Sequence, residues 1–107
     1  MEIGQYAIVL VNLDPTVGSE IRKTRPCVII SPNEMNRYLK TVIIAPMTTN
    51  LRKYPPRFPV THNKTKGMVV LDQIRTVDKK RIHKVFDTLS NIEIKNCKKI
   101  IKEILVD

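Results

Sequence analysis

Apolar residues in this chain come in short β-branched runs, each ending in a polar cluster or a proline, a pattern that leaves room for little but a sheet of short strands. The segment 18–31, GSEIRKTRPCVIIS, is the sharpest instance. Val28, Ile29 and Ile30 fit a pleated, buried surface. Pro26 biases Arg25 away from helical geometry and towards an extended one, so a cation stands at the mouth of a strand. TVIIAPMTT (41–49) and GMVVLDQIRTVD (67–78) repeat the design.

Strands are expected over residues 5–13, 25–31, 41–49, 57–61, 67–74 and 82–88. Asp14-Pro15 ends the first in a turn, a loop around Gly18 follows, and 50–56 is the longest loop, with Arg52 and Lys53 beside two prolines. Residues 32–38 fit one helical turn, with Pro32 tolerated at its start. The C-terminal segment reads as a helix from about Asn91, because Ser90 and Glu93 have capping-box spacing. Ile94, Cys97, Ile100, Ile101, Ile104 and Leu105 share one face and Lys95, Lys99, Lys102 and Glu103 the other. Such a stripe is expected to close an antiparallel sheet, more often than to lie on a membrane.

A length of 107 residues suits one domain with its own core. Nineteen Lys and Arg against ten Asp and Glu give a net charge of +9, which biases the chain towards polyanions, nucleic acid first. A merely solubilising basic surface is the competing reading. Cys27 and Cys97 lie too far apart for a metal knuckle and are expected buried and reduced. The opening MEIGQYAIVLVNLDP has neither a basic leader nor a long apolar core, so a cytoplasmic protein with no membrane segment is expected. With Gly4, Gly18 and Gly67 as the only glycines there is no phosphate-cradling loop. His62 and His83 stand apart from any ligand or nucleophile motif, and aromatic side chains, at 5% and without Trp, are too few for a broad base-stacking platform.

In order and spacing, GQYAIVLVNLDPTVGSE, the Arg-Pro segment, the Pro-Met-Thr-Thr segment and LDQIRTVDKKRI resemble the MazF/PemK family of toxin endoribonucleases. The resemblance spans nearly the whole chain, 1–107. It implies a mainly β fold with a C-terminal helix, an SH3-like small barrel or curled antiparallel sheet, similar to that of the gyrase-poisoning CcdB toxins. It further implies a homodimer, a single-stranded RNA substrate, no cofactor or metal, and a small antitoxin whose tail covers the RNA groove. The basic charge independently favours an acidic, disordered inhibitor that folds on binding.

Metal-free RNA cleavage uses the neighbouring 2′-hydroxyl as nucleophile, so the enzyme must orient it, stabilise phosphoryl charge and protonate the leaving 5′-oxygen. Arginine matches phosphate oxygens bidentately. As guanidinium groups stay protonated at neutral pH, Arg25 suits charge stabilisation and does not suit a general base; it suits proton donation because the leaving alkoxide is more basic than a guanidine. The family resemblance assigns Arg25 and Thr48 to catalysis. Thr48 can donate to a non-bridging oxygen, while strand alternation turns its neighbour Thr49 to the other face.

Ser19, Glu20 and Asp72 match supporting positions, although Ser19 stands where some relatives carry histidine and Val70 where some carry a second arginine. On a strand over 67–74, Asp72 and Ile74 would share one face and Gln73 and Arg75 the other, so that only a bulge could turn both pairs into one pocket. Gln73 suits a base edge, and Arg75 suits phosphate or a pairing with Asp78. Arg22, Lys23, Arg52, Lys53, Lys79 and Lys80 are expected to contact RNA phosphates. For each of these the bland alternative is a surface ion pair or a stabilised strand end. A CcdB-like gyrase poison and a non-catalytic RNA-binding module remain as rivals. The missing C-terminal Trp speaks against the first, and the joint presence of Arg25 and Thr48 against the second.

Overall fold

The computed structural model describes residues 3–13 and 24–106. In chain order the elements are β1 (Ala7–Asn12), β2 (Thr24–Ile29), α1 (Asn33–Tyr38), β3 (Thr41–Thr48), β4 (Arg57–His62), β5 (Thr65–Val70), β6 (Arg75–Asp78), β7 (Ile82–Thr88) and α2 (Asn91–Ile101). One antiparallel sheet runs β4-β5-β3-β2-β1-β7, with β6 also on β3, and curls into a half-barrel. Its faces are set by alternation along each strand. Val9, Val11, Cys27, Ile29, Val42, Ile44 and Val77 pack on one side, whereas Ile8, Val28, Ala45, Met47, Phe58, Val60 and Val69 pack with Cys97 of α2 on the other.

The expected single strand over 67–74 is interrupted. β5 stops at Val70, Leu71–Gln73 coil into a 3-10 turn, and β6 resumes on the same edge of β3. Pairing with β3 advances by a three-residue insertion, from Thr48↔Met68 to Ile44↔Arg75. The lapse falls beside Ala45 and Pro46, and Pro46 has no N–H to give a ladder. The break therefore replaces the simple alternation expected for Asp72, Gln73 and Arg75.

β4 and β5 form a two-residue hairpin whose turn residues, Asn63 and Lys64, both have positive φ (50° and 61°), as a type I′ turn requires. β4 is a sheet edge. Its outward side offers no free amide: Arg57 N–H donates to Tyr54 O, Pro59 has no N–H, and Thr61 N–H donates to Glu93 Oε2 at 2.9 Å. The same Glu93 completes the capping box with Ser90, so one carboxylate starts α2 and pins it to β4.

α2 buries Cys97 and half-buries Ile94, Ile100 and Ile101 against the sheet, as its stripe predicts. The stripe does not extend to its end: Ile104 and Leu105 are 40% and 66% exposed. After Ile101 the chain widens into a π-helical turn over Lys102–Val106, and the larger turn carries these side chains out of phase with the sheet. No helix among the described residues is long and apolar enough to cross a membrane.

Candidate active site

Arg25 and Thr48 occupy the same face of the sheet at the same end. β2 and β3 pair Cys27 with Pro46 and Ile29 with Ile44, and directly opposed residues share a face. Two residues further along, Arg25 follows Cys27 and Thr48 follows Pro46, so alternation keeps both on that side. Carried on by two residues, the register would set them opposite each other. The ladder has already stopped at Cys27 and Pro46, and β3 turns to β5 through Met47↔Val69 and Thr48↔Met68. The two strands thus part where the arginine and the threonine stand.

The local electrostatics match this placement. Arg25 is exposed, and its carbonyl accepts a bond from the Cys27 thiol at 3.4 Å. Burial pushes that thiol up to about 12, against the opposing pull of the Arg25 and Arg75 guanidinium groups. Both cations therefore lie around Cys27. Arg75 opens β6 opposite Ile44. Its expected pairing with Asp78 is not made: the Asp78 carboxylate accepts from Lys80 N–H at 2.8 Å and caps the next 3-10 turn. Residues three apart on a strand face opposite ways, which separates the two.

Thr48 is half-buried, and its Oγ1 accepts from Asn50 N–H at 3.2 Å. This contact uses a lone pair and leaves the hydroxyl proton to donate. Thr49 is exposed and follows Met47 to the opposite face. There a cavity of about 270 Å³ opens, lined by Pro26, Met47, Thr49, His62 and Phe86 among others, and Thr48, the last residue of β3, lines it as well. His62 packs edge-on against Phe86 at 4.7 Å, an aromatic contact that accounts for its position.

Asp72 has a role that alternation alone does not reveal. Its Oδ1 accepts from Arg57 Nε at 3.3 Å, which ties the 3-10 turn to β4. Arg57 in turn lies 4.6 Å from the Tyr54 ring centroid, and Arg52 lies 5.6 Å from it. Tyr54 did not stand out in the sequence; the available signal was an aromatic between two arginines in the longest loop. Gln73 and Lys80 are exposed, Lys53 sits on that loop, and the Lys79 ammonium donates to Asn36 O, anchoring α1. Ser19, Glu20, Arg22 and Lys23 lie outside the described residues.

Comparison with known proteins sets this geometry in a family. Residues 4–105 match the family model described as PemK-like, MazF-like toxin of type II toxin-antitoxin system. An endoribonuclease MazF of Staphylococcus epidermidis is 38% identical, over 83% of this chain and 82% of its own. The chain belongs to this family of MazF-type toxin endoribonucleases. Among solved structures, an endoribonuclease from Mycobacterial species, in complex with its cognate antitoxin, superposes with a TM-score of 0.82 at 18% identity, covering 96% of this chain and 94% of that one. A MazE-MazF structure from Deinococcus radiodurans gives 0.80 at 17% identity, covering 99% and 97%. These two likenesses bear on the fold, and they agree with the curled half-barrel and C-terminal helix of this MazF-type chain.

Proposed function

We propose that this MazF-type toxin cleaves single-stranded RNA at selected sequences, without a metal, by attack of the 2′-hydroxyl on its adjacent phosphate. As the 2′-oxygen bonds to phosphorus its proton passes to water; the bond from phosphorus to the 5′-oxygen breaks, that oxygen takes a proton which water restores to the donor, a 2′,3′-cyclic phosphate and a 5′-hydroxyl remain, and loss of transcripts stops translation and growth. The observation that carries the reading is the placement of Arg25 and Thr48 on one face, where β2 and β3 part. Arg25 holds the phosphoryl oxygens and supplies a proton to the leaving oxygen; Thr48 donates to a non-bridging oxygen whose charge grows in the transition state. Arg75 adds a second cation for the phosphate chain. The net charge of +9 supports a polyanionic substrate, and it equally supports a small antitoxin with an acidic disordered tail. A cognate antitoxin accompanies the mycobacterial structure. A homodimer, acting in the cytoplasm through one toxin domain, completes the reading.

The test is cleavage of a defined oligoribonucleotide in excess chelator. Cleavage is expected to persist and to leave the cyclic phosphate, and a 2′-deoxy sugar at the scissile position is expected to block it. Arg25→Lys is expected to be nearly as inactive as Arg25→Ala, because lysine keeps the charge but loses the bidentate fork. Cutting of the deoxy substrate at a comparable rate would refute the nucleophile. Binding without any cut would favour a non-catalytic RNA module, and inertness towards RNA together with gyrase inhibition a CcdB-like poison.

A further inference from the structure

The face that carries Arg25 and Thr48 continues across two more strands. Thr48 is opposite Met68 of β5, and Met68 is opposite Pro59 of β4. Opposed residues share a face, so Thr48, Met68 and Pro59 form one row, with Arg57 two residues from Pro59 on the same side of β4. Two strand spacings put Pro59 roughly 10 Å from Thr48. Over this row folds the loop after β3. Lys53, Tyr54 and Pro55 from the loop, with Arg57, Pro59 and Met68 from the sheet, enclose a cavity of about 430 Å³.

The chemistry of this cavity is divided. Met68, Pro59 and Pro55 make an apolar floor, and the Tyr54 ring makes a wall that is 40% exposed. Cations line the rim. The Arg57 guanidinium lies over the ring, 4.6 Å from its centroid, with Arg52 at 5.6 Å, so a base meets the part of the ring that these cations leave open; the Arg57 Nε is held by Asp72 at 3.3 Å. That bond uses one donor of the guanidinium fork and leaves the terminal nitrogens for an incoming anion. Asp72 is thus a positioning residue for Arg57. An apolar cavity with cations beside it fits a nucleobase and the phosphate attached to it.

We propose that this cavity is a nucleobase subsite, in which a base close to the scissile phosphate lies against Tyr54 over Met68 and Pro59 while its phosphate meets Arg57 and Lys53. The assignment rests on the RNA-cleaving reading above. It adds a specificity element on the loop-bearing side of the row that starts at Thr48. A broad aromatic platform is unnecessary, because one ring beside the cut suffices to hold one base.

The experiment measures binding of an oligoribonucleotide blocked by a 2′-deoxy sugar at the scissile position, with a single abasic nucleotide walked along the strand. Wild-type protein is expected to lose about 5- to 150-fold in affinity when the base that occupies the cavity is removed, in line with base–aromatic stacking. Tyr54→Ala is expected to lose a similar amount on the intact strand and nothing further on that one abasic strand. Tyr54→Phe keeps the ring and should recover the affinity that Tyr54→Ala loses. Thermal melting verifies that both variants are folded, and Lys53→Met should lower the salt slope by about 0.7. Equal losses for Tyr54→Ala on every abasic strand, or none on the intact strand, would overturn the subsite. A Tyr54→Ala protein that binds RNA normally but loses an acidic antitoxin peptide would assign the cavity to that partner. A wild-type protein that fails to bind or cut RNA at all refutes the parent reading, and is recognised before any variant is made.

Discussion

Gly67 is expected to be intolerant of even a methyl group, for a reason that touches the site directly. A Cβ at this position on β5 would sit 2.7 Å from the carbonyl oxygen of Thr48, about 0.7 Å inside the 3.4 Å at which ordinary contact begins. The obstacle is backbone, so no side chain can rotate out of the way, and β3 and β5 must part. Glycine-to-alanine exchange elsewhere stabilises a protein by ~0.4–1 kcal/mol through the unfolded chain. Overpacking of a closely fitted core costs ~1–3 kcal/mol. The second effect wins, with a net loss of about 1–2 kcal/mol and a drop in Tm of roughly 5–10 °C. Thr48 moves with its carbonyl, and if it acts as proposed a shift approaching 1 Å there is worth up to about 10²-fold in rate. Melting followed by circular dichroism and single-turnover RNA cleavage well below Tm measure the two consequences separately. Gly4→Ala is the control, since its Cβ would meet Asn33 Oδ1 at a comfortable 3.8 Å. Should Gly67→Ala melt at or above wild type and cut at the wild-type rate, the close approach of β5 to Thr48 would be refuted.

Thr48→Ala is expected to lower turnover by about 10²- to 10³-fold, the usual cost of losing one transition-state donor, whereas Thr49→Ala, on the opposite face, should cost much less; turnover of the two folded variants decides, and the reverse order would place the site on the other face. Both thiols should resist alkylation at pH 8 in the native protein and react on unfolding, as free, buried groups do. Burial raises Cys27 from 9.0 to about 12 and Cys97 from 9.0 to about 11. The folded state therefore holds these protons more tightly, and the stability they contribute is complete below pH 9 and is lost as pH rises towards 11–12. Each thiol costs about 1.4 kcal/mol per pH unit within its window. Urea midpoints from pH 8 to 11 should fall less steeply for Cys97→Ala than for wild type, and an identical slope would reject the burial account.

The strands were legible because β-branched runs and Pro-bounded loops announce themselves, and the start of α2 because Ser90 and Glu93 satisfy each other's backbone within one turn. Alternation alone put Arg25 and Thr48 within reach of one face once the β2–β3 register was known. What escaped was set by partners distant in sequence. Leu71 extends the Met68–Val70 run and Ile74 returns after the polar Asp72-Gln73 pair, which a strand with one wetted stretch would also show, so nothing local separates the break that faces Pro46 from a continuing strand. The Asn63-Lys64 turn lacks the glycine that signals a hairpin, and without that hairpin the Asp72–Arg57 pair, fifteen positions apart, has no cause to form. Tyr54 was masked by the general scarcity of aromatics, although one ring flanked by arginines was enough to build a wall.

The hydrogen bonding along β4 bears on how this chain meets others. A bare sheet edge is a template for a further strand, supplied by another copy in an aggregate or by an extended peptide. Here a would-be strand finds no donor: the Arg57 amide is spent on Tyr54, Pro59 never had one, and the Thr61 amide is held by Glu93. Edge-to-edge stacking of the protein through this side is thereby discouraged without any change to its charge. A strand offered by an inhibitor on the Tyr54 side would find no N–H along this edge to accept from, which favours contact by side chains or a helix over strand addition.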